Sequence, residues 1–385
     1  MATTDTELVA RVRSLRPLIA EHALRAEERR RVTGEVVAAL TEAGVYRMNV
    51  PRRYGGYQSR PRTQVDVIAE VAAACGSAAF TVLIQAGCAF IASLFPDEAQ
   101  DEIFTGPDVR VGGTLVPDAT AVAGDGGWIV DGTSGFATGC QDADWHLLTA
   151  RVERPDGPPE ALWTAVPMAE LEVLDDWYVS GLAGSGSNSV VARNVFVPAH
   201  RVLPLGPLLA GEFPSKANAD DPFYRMPVLL LFCAWTAPHA LGLARSALAD
   251  FTERIHRRGI TYTFHTRQHE ATVTHLQAAE AAMKLSCAEL LTDEFVARIE
   301  AGEPFGQEER AKIRAQAGYV ARLCKEAVDL VASASGASSL HRDVPVQRAV
   351  RDLHALNLHS FVNPATNLEL YGRVLSGLDP GTAFL

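Results

Sequence analysis

Gly181-Leu-Ala-Gly-Ser-Gly-Ser-Asn188 precedes the β-rich run Ser189-Val-Val-Ala-Arg-Asn-Val-Phe-Val197. Its glycines suggest a phosphate-binding loop, but such a loop follows a strand and opens a helix, because the free N–H groups of the helix hold the anion. Here a strand follows, and no Lys-Ser or Lys-Thr pair closes the loop. The stretch is therefore interpreted as a tight turn of a β unit, with serines and backbone amides available to a ligand.

The composition is that of a packed, acidic, globular protein. Of 385 residues, 48% are apolar and 21% are charged, close to the globular average. The length predicts two or three structural units. The formal net charge is -11 and the longest basic run is Arg29-Arg-Arg31, which argues against a surface that tracks phosphates. No nucleic-acid partner is expected.

Six scattered cysteines include no CxxC pair, and no His stands at zinc-ligand spacing from them. They are expected to be reduced thiols, mostly buried, and no metal site is predicted. The first residues lack the basic and then apolar pattern of a secretory signal. A cytoplasmic protein is therefore expected.

One segment has the length of a membrane span. Val71 to Phe95 contains 25 residues without a charge. However, Gly76-Ser77, Gln85 and Gly87 interrupt it, and many of its apolar residues are alanines. The segment is interpreted as a buried helix or helix pair, and no membrane partner is expected.

Hydrophobic periodicity divides the chain into three parts. Apolar residues recur three or four positions apart through most of residues 7–95, as in amphipathic helices. Short β-rich runs alternate with Gly, Asp and Pro clusters over residues 109–205, and long helical patterns return from Phe223. A doubly wound dinucleotide fold, which alternates strand and helix throughout, would not give this order.

The pattern predicts an α+β protein. Its predicted domains are an N-terminal helical domain (1–108), a middle β-barrel or sandwich (109–206) and a C-terminal four-helix bundle (207–385).

Several motifs, which follow one another along the chain in the superfamily's order and cover nearly all of it, resemble those of flavin-dependent monooxygenases built on the acyl-CoA dehydrogenase fold. The opening stretch with Asn194-Val-Phe-Val-Pro198 resembles the middle-domain signature of that family. The other motifs are the entry Gly44-Val-Tyr-Arg-Met-Asn-Val-Pro51 with Tyr54-Gly-Gly56, the strand pair Gly126–Gly132 and Gly135–Gly139 beside the flavin ring, and the helix start Pro345-Val-Gln-Arg-Ala-Val-Arg-Asp352.

One position separates two branches of this superfamily. Acyl-CoA dehydrogenases abstract a proton with a Glu that, in their commonest pattern, lies at a fixed distance beyond the Arg-Asp pair. Counted from Asp352, that position is Ser360, preceded by His359, and residues 353–362 contain no carboxylate. In the monooxygenase branch the same helix carries a His near the flavin, so the resemblance implies that His359 is catalytic. An imidazole with a pKa near neutrality can donate or accept a proton there.

The resemblance also implies flavin-binding residues. They are Thr114 on the strand at the pyrimidine edge, Phe136 and Thr138 at the ring, Ser185 and Ser187 in the glycine turn, Gly336 near the phosphates, and Arg258 or Arg257 as the phosphate-binding cation. Dehydrogenases have two glycines where this chain has only Gly336, which favours FMN over FAD. The family usually has an Arg where this chain has Ala183, which implies a reshaped substrate entrance.

The function implied by the resemblance is that of the oxygenase component of a two-component flavin-dependent monooxygenase. It would use reduced FMN (or FAD) and O2, through a flavin hydroperoxide, to hydroxylate or oxidise an aromatic or polycyclic small molecule. A separate NAD(P)H-dependent flavin reductase would supply the flavin, since the chain has no second nucleotide motif. A homotetramer with the C-terminal bundle at its centre is implied. The alternatives are an acyl-CoA dehydrogenase-like enzyme acting on a thioester and a flavin-binding homologue without turnover.

Overall fold

The first part of the chain is helical. The computed structural model describes residues 5–154 and 157–385. Six helices come first: α1 (Asp5–Ser14), α2 (Arg16–Arg29), α3 (Gly34–Ala43), α4 (Pro61–Ala72), α5 (Gly76–Ala92) and α6 (Asp97–Ile103). Gly44 ends α3 at φ +84°, and its N–H donates to the carbonyls of Leu40 and Thr41. A glycine adopts this left-handed conformation without the steric penalty of a Cβ.

The uncharged segment Val71–Phe95 lies inside the protein, as predicted. It forms the end of α4 and all of α5, with a break at residues 73–75. Every α5 residue except Ile84 is buried. This helix is apolar all round because other elements cover it on every side.

The middle part is one eight-stranded sheet. Its strands are β1 (Val111–Gly113), β2 (Ala119–Gly124), β3 (Gly127–Ser134), β4 (Trp145–Val152), β5 (Glu160–Pro167), β6 (Glu172–Val173), β7 (Val190–Pro198) and β8 (Val202–Pro204). The order across the sheet is β6-β7-β3-β2-β4-β5-β8, and β1 pairs with β4 in parallel. The expected strand pair is only half present, because residues 135–139 form a loop after β3.

The two faces of the sheet belong to different cores. In β5, Leu162 and Val166 pack into a core formed by the sheet itself, whereas Trp163 and Ala165 join the large core shared with the helices. Successive side chains of a strand point to opposite faces, so one strand serves both. The sheet is therefore bound to the helices by one face.

The last part is a helical bundle. Its helices are α7 (Leu205–Leu209), α8 (Val228–Arg254), α9 (Thr272–Glu300), α10 (Gln307–Ala334), α11 (Pro345–Leu356) and α12 (Pro364–Leu375). The segment Val228–Arg257 is long and apolar enough to cross a membrane, but 94% of its most apolar window is buried inside the protein. It is the core helix of the bundle. The predicted α, β, α order is confirmed, and the domain boundaries stay predictions.

A close helix crossing joins the first and last parts. A Cβ on Gly242 of α8 would lie 2.3 Å from the carbonyl oxygen of Ala69 and 2.6 Å from the Cβ of Ala72, both on α4. Only glycine lets these two backbones approach so closely.

Gly242→Ala is expected to destabilise the protein by ~1–3 kcal/mol, because the methyl group forces α4 and α8 apart. Gly372→Ala in α12 is the matched control, since a Cβ there meets nothing within 4 Å. That change should be neutral or stabilising by up to ~1 kcal/mol. Thermal unfolding measures both, and equal effects of the two substitutions would contradict the prediction.

Candidate functional site

The glycine stretch docks onto the loop after β3. The N–H of Ala137 donates to the carbonyl of Asn188, and the N–H of Gly139 donates to the carbonyl of Ser185, each at 3.0 Å. Gly186, at φ +56°, turns the chain between the two carbonyls. The predicted tight turn is present, and it is a short 3-10 turn buried between other elements.

Three of the predicted flavin-binding hydroxyls form a buried chain. The Oγ1 of Thr138 lies 2.9 Å from the Oγ of Ser187, which lies 2.8 Å from the Oγ of Ser185. All three side chains are at most 3% exposed. Ala183, where the family pattern has Arg, is buried in the same turn. The glycine stretch thus lies inside the protein rather than at an open entrance.

Two more predicted residues lie at the same edge of the sheet. Thr114 follows directly after β1, and its Oγ1 is 2.7 Å from the Oγ of Ser134 at the end of β3. Phe136 has φ +59° and is 76% exposed, with its ring 5.9 Å from that of Trp177. A large aromatic side chain held outward in a left-handed conformation is uncommon and offers a flat surface to a ligand.

Helix α5 connects this edge to His359. The Nε2 of Gln85 donates to the carbonyl of Gly139 at 3.4 Å. A Cβ on Gly139 would lie 3.2 Å from the Cγ2 of Thr81. The next residue towards the helix start, Phe80, contacts His359 edge-on with ring centroids 5.7 Å apart. The hydroxyl chain and the histidine are therefore held by neighbouring turns of one helix.

His359 differs in two respects from what the sequence predicted. It is not on the helix, because α11 ends at Leu356 and His359 lies in the turn before α12. Its ring is half-buried beside Phe80 and Phe361, and desolvation lowers its pKa to about 4. The imidazole is therefore neutral at pH 7 rather than titrating near neutrality.

A second histidine was missed by the sequence analysis. His239 of α8 is fully buried, its ring centroid is 5.8 Å from that of Phe80, and its Nε2 is 2.8 Å from the carbonyl oxygen of Gly76. Desolvation lowers its pKa to about 4, and the nearby His359 acts in the same direction. The available signal was a lone His in the uncharged run Val228–Ala244.

The Arg-Asp pair of α11 holds the start of the glycine stretch. Arg351 binds the carboxylate of Glu27 on α2 through two hydrogen bonds of 2.9 and 3.0 Å, and it donates to the carbonyl of Ser180 at 2.9 Å. Asp352 accepts the N–H of Leu182 at 2.7 Å. A Cβ on Gly181 would lie 2.2 Å from the carbonyl oxygen of Arg351. This glycine therefore has no room for a side chain.

The predicted phosphate-binding residues lie together in the bundle. Arg258 hydrogen-bonds the carbonyl of Ser335, and its Nη2 is 2.9 Å from the position that a Cβ on Gly336 would take. Burial lowers the pKa of Arg258, which pairs with no carboxylate among the residues described. Arg257 instead forms an exposed ion pair with Glu253. Of the two arginines, Arg258 is the one whose charge is available to an anion.

The residues that the sequence predicted to bind flavin form two separate sets of contacts. Arg258 and Gly336, which has φ +65°, give a cation beside a backbone open to close approach. The hydroxyl chain, Thr114 and Phe136 give polar groups and an aromatic face. Helix α11, twelve residues and about 18 Å long, lies between Gly336 and His359 in the chain. We call the hydroxyl chain, Thr114 and Phe136 the ring end, and Arg258 and Gly336 the phosphate end, after the roles that the sequence predicted for them.

One further cluster offers metal-ligand atoms. Those of Glu98, Glu102 and His200 lie within 4.8 Å of one another. Arg201 also binds the carboxylate of Glu102, and His200 lies 2.9 Å from it. Arg201 and His200 thus both engage the carboxylate of Glu102.

The stability of the Asp352→Asn variant relative to the wild-type protein should increase as pH rises. Burial raises the pKa of Asp352 to about 6, so the folded protein binds this proton more tightly than the unfolded chain. The wild-type protein therefore loses stability as pH rises from about 4 to about 6, whereas Asn stays neutral and keeps an acceptor for Leu182. The melting temperature of the variant minus that of the wild type should increase across this window. A difference independent of pH would contradict the prediction.

Two family models match the chain. Residues 5–106 match "Acyl-CoA dehydrogenase, N-terminal domain", and residues 234–364 match "Acyl-CoA dehydrogenase, C-terminal domain". The fold class implied by the sequence resemblance is thereby confirmed.

Named relatives and solved structures extend over nearly the whole chain. A "Pigment production hydroxylase" of Rhodococcus sp. is 30% identical over 97% of this chain and 97% of its own length. The "FADH(2)-dependent resorcinol hydroxylase, oxygenase component" of Rhizobium sp. is 30% identical, with coverages of 97% and 95%. The structure of XiaF from Streptomyces sp. with FADH2 and glycerol superposes with a TM-score of 0.93 at 28% identity, covering 98% of this chain and 97% of that one. The chain therefore belongs to the acyl-CoA dehydrogenase-like family, in its branch of flavin-dependent hydroxylases that serve as oxygenase components.

Proposed function

We propose that this protein uses reduced flavin and O2 to hydroxylate or oxidise an aromatic or polycyclic small molecule. Bound reduced flavin supplies two electrons and activates O2, so that one oxygen atom enters the substrate and the other leaves as water. A separate NAD(P)H-dependent reductase supplies the flavin by diffusion, as the oxygenase-component relatives imply. The protein works in the cytoplasm.

We propose reduced FAD as the preferred cofactor and reduced FMN as the alternative. The resorcinol hydroxylase is named for FADH2, and XiaF was solved with it. In the sequence, the presence of Gly336 alone, where dehydrogenases have two glycines, favoured FMN. Its positive φ and its nearness to Arg258 suit a phosphate of either flavin.

The ring end of the site positions the flavin. Thr114 and the chain of Thr138, Ser187 and Ser185 supply hydroxyl groups that can donate to ring oxygen and nitrogen atoms. Phe136 supplies an exposed ring beside them, and its face covers one side of the bound cofactor. We propose these roles from the placement of the side chains at one edge of the sheet.

His359 is the residue that favours the monooxygenase branch of the superfamily over the dehydrogenase branch. Where the commonest dehydrogenase pattern has a base carboxylate, this chain has Ser360, and the residue before it, His359, is a neutral imidazole in contact with Phe80 and Phe361. Its Nδ1 accepts a long hydrogen bond from the N–H of Phe361 at 3.4 Å, so the proton resides on Nε2. With its Nδ1 lone pair engaged by Phe361, His359 offers a hydrogen-bond donor at Nε2, which suits oxygen activation, rather than the free base that α-proton abstraction from a thioester requires.

In the deciding experiment, the protein is first bound to chemically reduced FAD and then mixed with O2 while the flavin absorbance is followed. The experiment is repeated with reduced FMN in place of FAD. An oxygen-dependent transient before oxidised flavin reappears is expected. Tight copurified flavin that acyl-CoA thioesters bleach would establish the dehydrogenase alternative instead. Failure to bind flavin in either redox state would exclude both enzymes.

We also propose a homotetramer. Helix α9 exposes an apolar stripe at coiled-coil spacing that includes Val273, Leu276, Met283 and Leu290, each at least 49% exposed. A second copy that covers this stripe would remove it from water. Light scattering measures the mass directly.

His359→Ala is expected to lower product yield by about a hundredfold, because the loss of one positioned hydrogen-bond donor costs about this much or more. Reduced flavin should still bind with nearly unchanged affinity, and hydrogen peroxide should be released instead of product. His354→Gln is the control, since His354 lies a turn earlier, is exposed and pairs with Asp329. Normal product yield in His359→Ala would remove this residue from the mechanism.

Arg258→Ala is expected to weaken the binding of reduced flavin by about tenfold to a hundredfold, the usual effect of losing a charge-assisted hydrogen bond. Arg257→Ala should change it by less than about twofold, because its ion pair with Glu253 is exposed. Fluorescence titration gives both dissociation constants, and thermal unfolding shows whether the loop at Ser335 is intact. Similar losses in both variants would refute the assignment.

A further inference from the structure

Arg314 is a buried cation that no carboxylate neutralises. It lies on α10 and is 6% exposed. Within residues 5–154 and 157–385, its hydrogen-bond acceptors are two backbone carbonyls and one side-chain amide oxygen. Burial lowers the pKa of this guanidinium. Taking a charge out of water without a counter-charge costs free energy, so an ordinary ion pair does not explain its position.

Arg314 holds the turn between α11 and α12. Its Nη2 donates to the carbonyl of Ser360 at 3.3 Å and to the Oδ1 of Asn367 at 2.9 Å. The Nδ2 of Asn367 in turn donates to the carbonyl of Phe361 at 2.8 Å. The carbonyls of the two residues that follow His359 are thus fixed by Arg314, one directly and the other through a buried amide.

The same guanidinium contacts the ring that packs against His359. Its Cζ is 5.8 Å from the ring centroid of Phe361, within the range of a cation–π contact. The centroids of the Phe361 and His359 rings are 5.7 Å apart, and the N–H of Phe361 donates to His359 Nδ1 at 3.4 Å. A displacement of Phe361 would therefore also displace the imidazole.

Two further contacts fix Arg314 and α10 against this region. The Nη1 of Arg314 donates to the carbonyl of Phe384, in the segment after α12. One turn further along α10, a Cβ on Gly318 would lie 3.2 Å from the Cα of Pro364 and 3.3 Å from the Cβ of Asn367. Helix α10 therefore lies directly against the start of α12. The planar, forked guanidinium has enough donors to reach three oxygen atoms at once.

We propose that Arg314 is the positioning residue of His359, because its guanidinium fixes the orientation of the turn that carries the imidazole. The turn's own hydrogen bonds run from the N–H groups of Val362 and Asn363 to the carbonyl of His359. They set the shape of the turn but not its orientation relative to α10. In this role Arg314 acts through the turn rather than through contact with flavin or substrate. This inference rests on the proposed catalytic role of His359.

The first test measures the lifetime of the oxygen-dependent flavin transient, with reduced FAD and without substrate. His359→Ala should shorten it at least about tenfold, as the loss of one hydrogen-bond donor implies. Arg314→Met keeps an apolar side chain but no donor, and it should shorten the lifetime about fivefold to tenfold, because the imidazole is displaced. Adding Arg314→Met to His359→Ala should change the lifetime by less than about twofold, because Arg314 acts only through that imidazole.

Arg298→Met is the matched control. Arg298 also donates to two backbone carbonyls, those of Glu303 and Pro304, and its Cζ lies 4.2 Å from the ring centroid of Phe305. It holds the connection between α9 and α10, not the turn of His359. Its substitution should destabilise the protein, as thermal unfolding measures, but leave the lifetime of the transient unchanged.

A second readout needs neither flavin nor oxygen. In the full flavin-free chain, Arg314→Met should make hydrogen exchange in residues 357–367 at least about tenfold faster, because the turn opens more often. Exchange in residues 345–355 of α11 should stay unchanged. Arg298→Met should leave exchange in residues 357–367 as it is in the wild-type protein.

Three results would each overturn the proposal: an unchanged lifetime in Arg314→Met, a further loss when this change is added to His359→Ala, or unchanged exchange in residues 357–367. A wild-type protein without any transient would refute the oxygenase function instead. Exchange would then decide alone, since faster exchange retains Arg314 as the residue that fixes this turn and unchanged exchange does not.

If Arg314→Met does not fold, Arg314→Lys replaces it in both measurements. The ammonium keeps the charge but reaches fewer of the three oxygen atoms, so changes of the same sign and smaller size are expected. A lifetime and an exchange rate equal to those of the wild-type protein would overturn the proposal in this variant as well.

Discussion

The structure depends on a small set of contacts between the glycine stretch and α11. Asp352 accepts the N–H of Leu182, Arg351 binds both Ser180 and Glu27, and Gly181 lies against the backbone of Arg351. These contacts join the sheet, the first helices and the bundle at one point. The carboxyl of Asp352 is almost fully buried, and that burial raises its pKa to about 6, so the junction accepts an electrostatic cost to fix its geometry.

Helix α5 carries that geometry to the site. Its first residue, Gly76, lies against Asp352 and receives the hydrogen bond of His239. One turn later Phe80 contacts both histidines, and Gln85 reaches the loop at Gly139. Because α5 is enclosed by other elements, these contacts hold it in one position. The residues at the ring end of the site, which pack against α5, are therefore also held in place.

Much of the fold and part of the site could be predicted from the sequence. The change of apolar period located helices, sheet and helices in the right order, and the family motifs identified the flavin-dependent hydroxylase branch. His359 was placed on the wrong element, because its spacing from Asp352 continues the helical count although α11 ends at Leu356. Its neutral state was also missed, since desolvation depends on Phe80 and Phe361, one of them distant in the chain.

The sequence by itself determined the class of fold and the family, because periodicity and local motifs are properties of neighbouring residues. The tertiary structure decided which of two adjacent arginines faces Gly336, and it brought both His239 and His359 into contact with the ring of Phe80. It also placed Gly181–Asn188 in a buried junction with α11 and the loop after β3. These outcomes depend on packing between segments far apart in the chain, and no local pattern encodes such contacts.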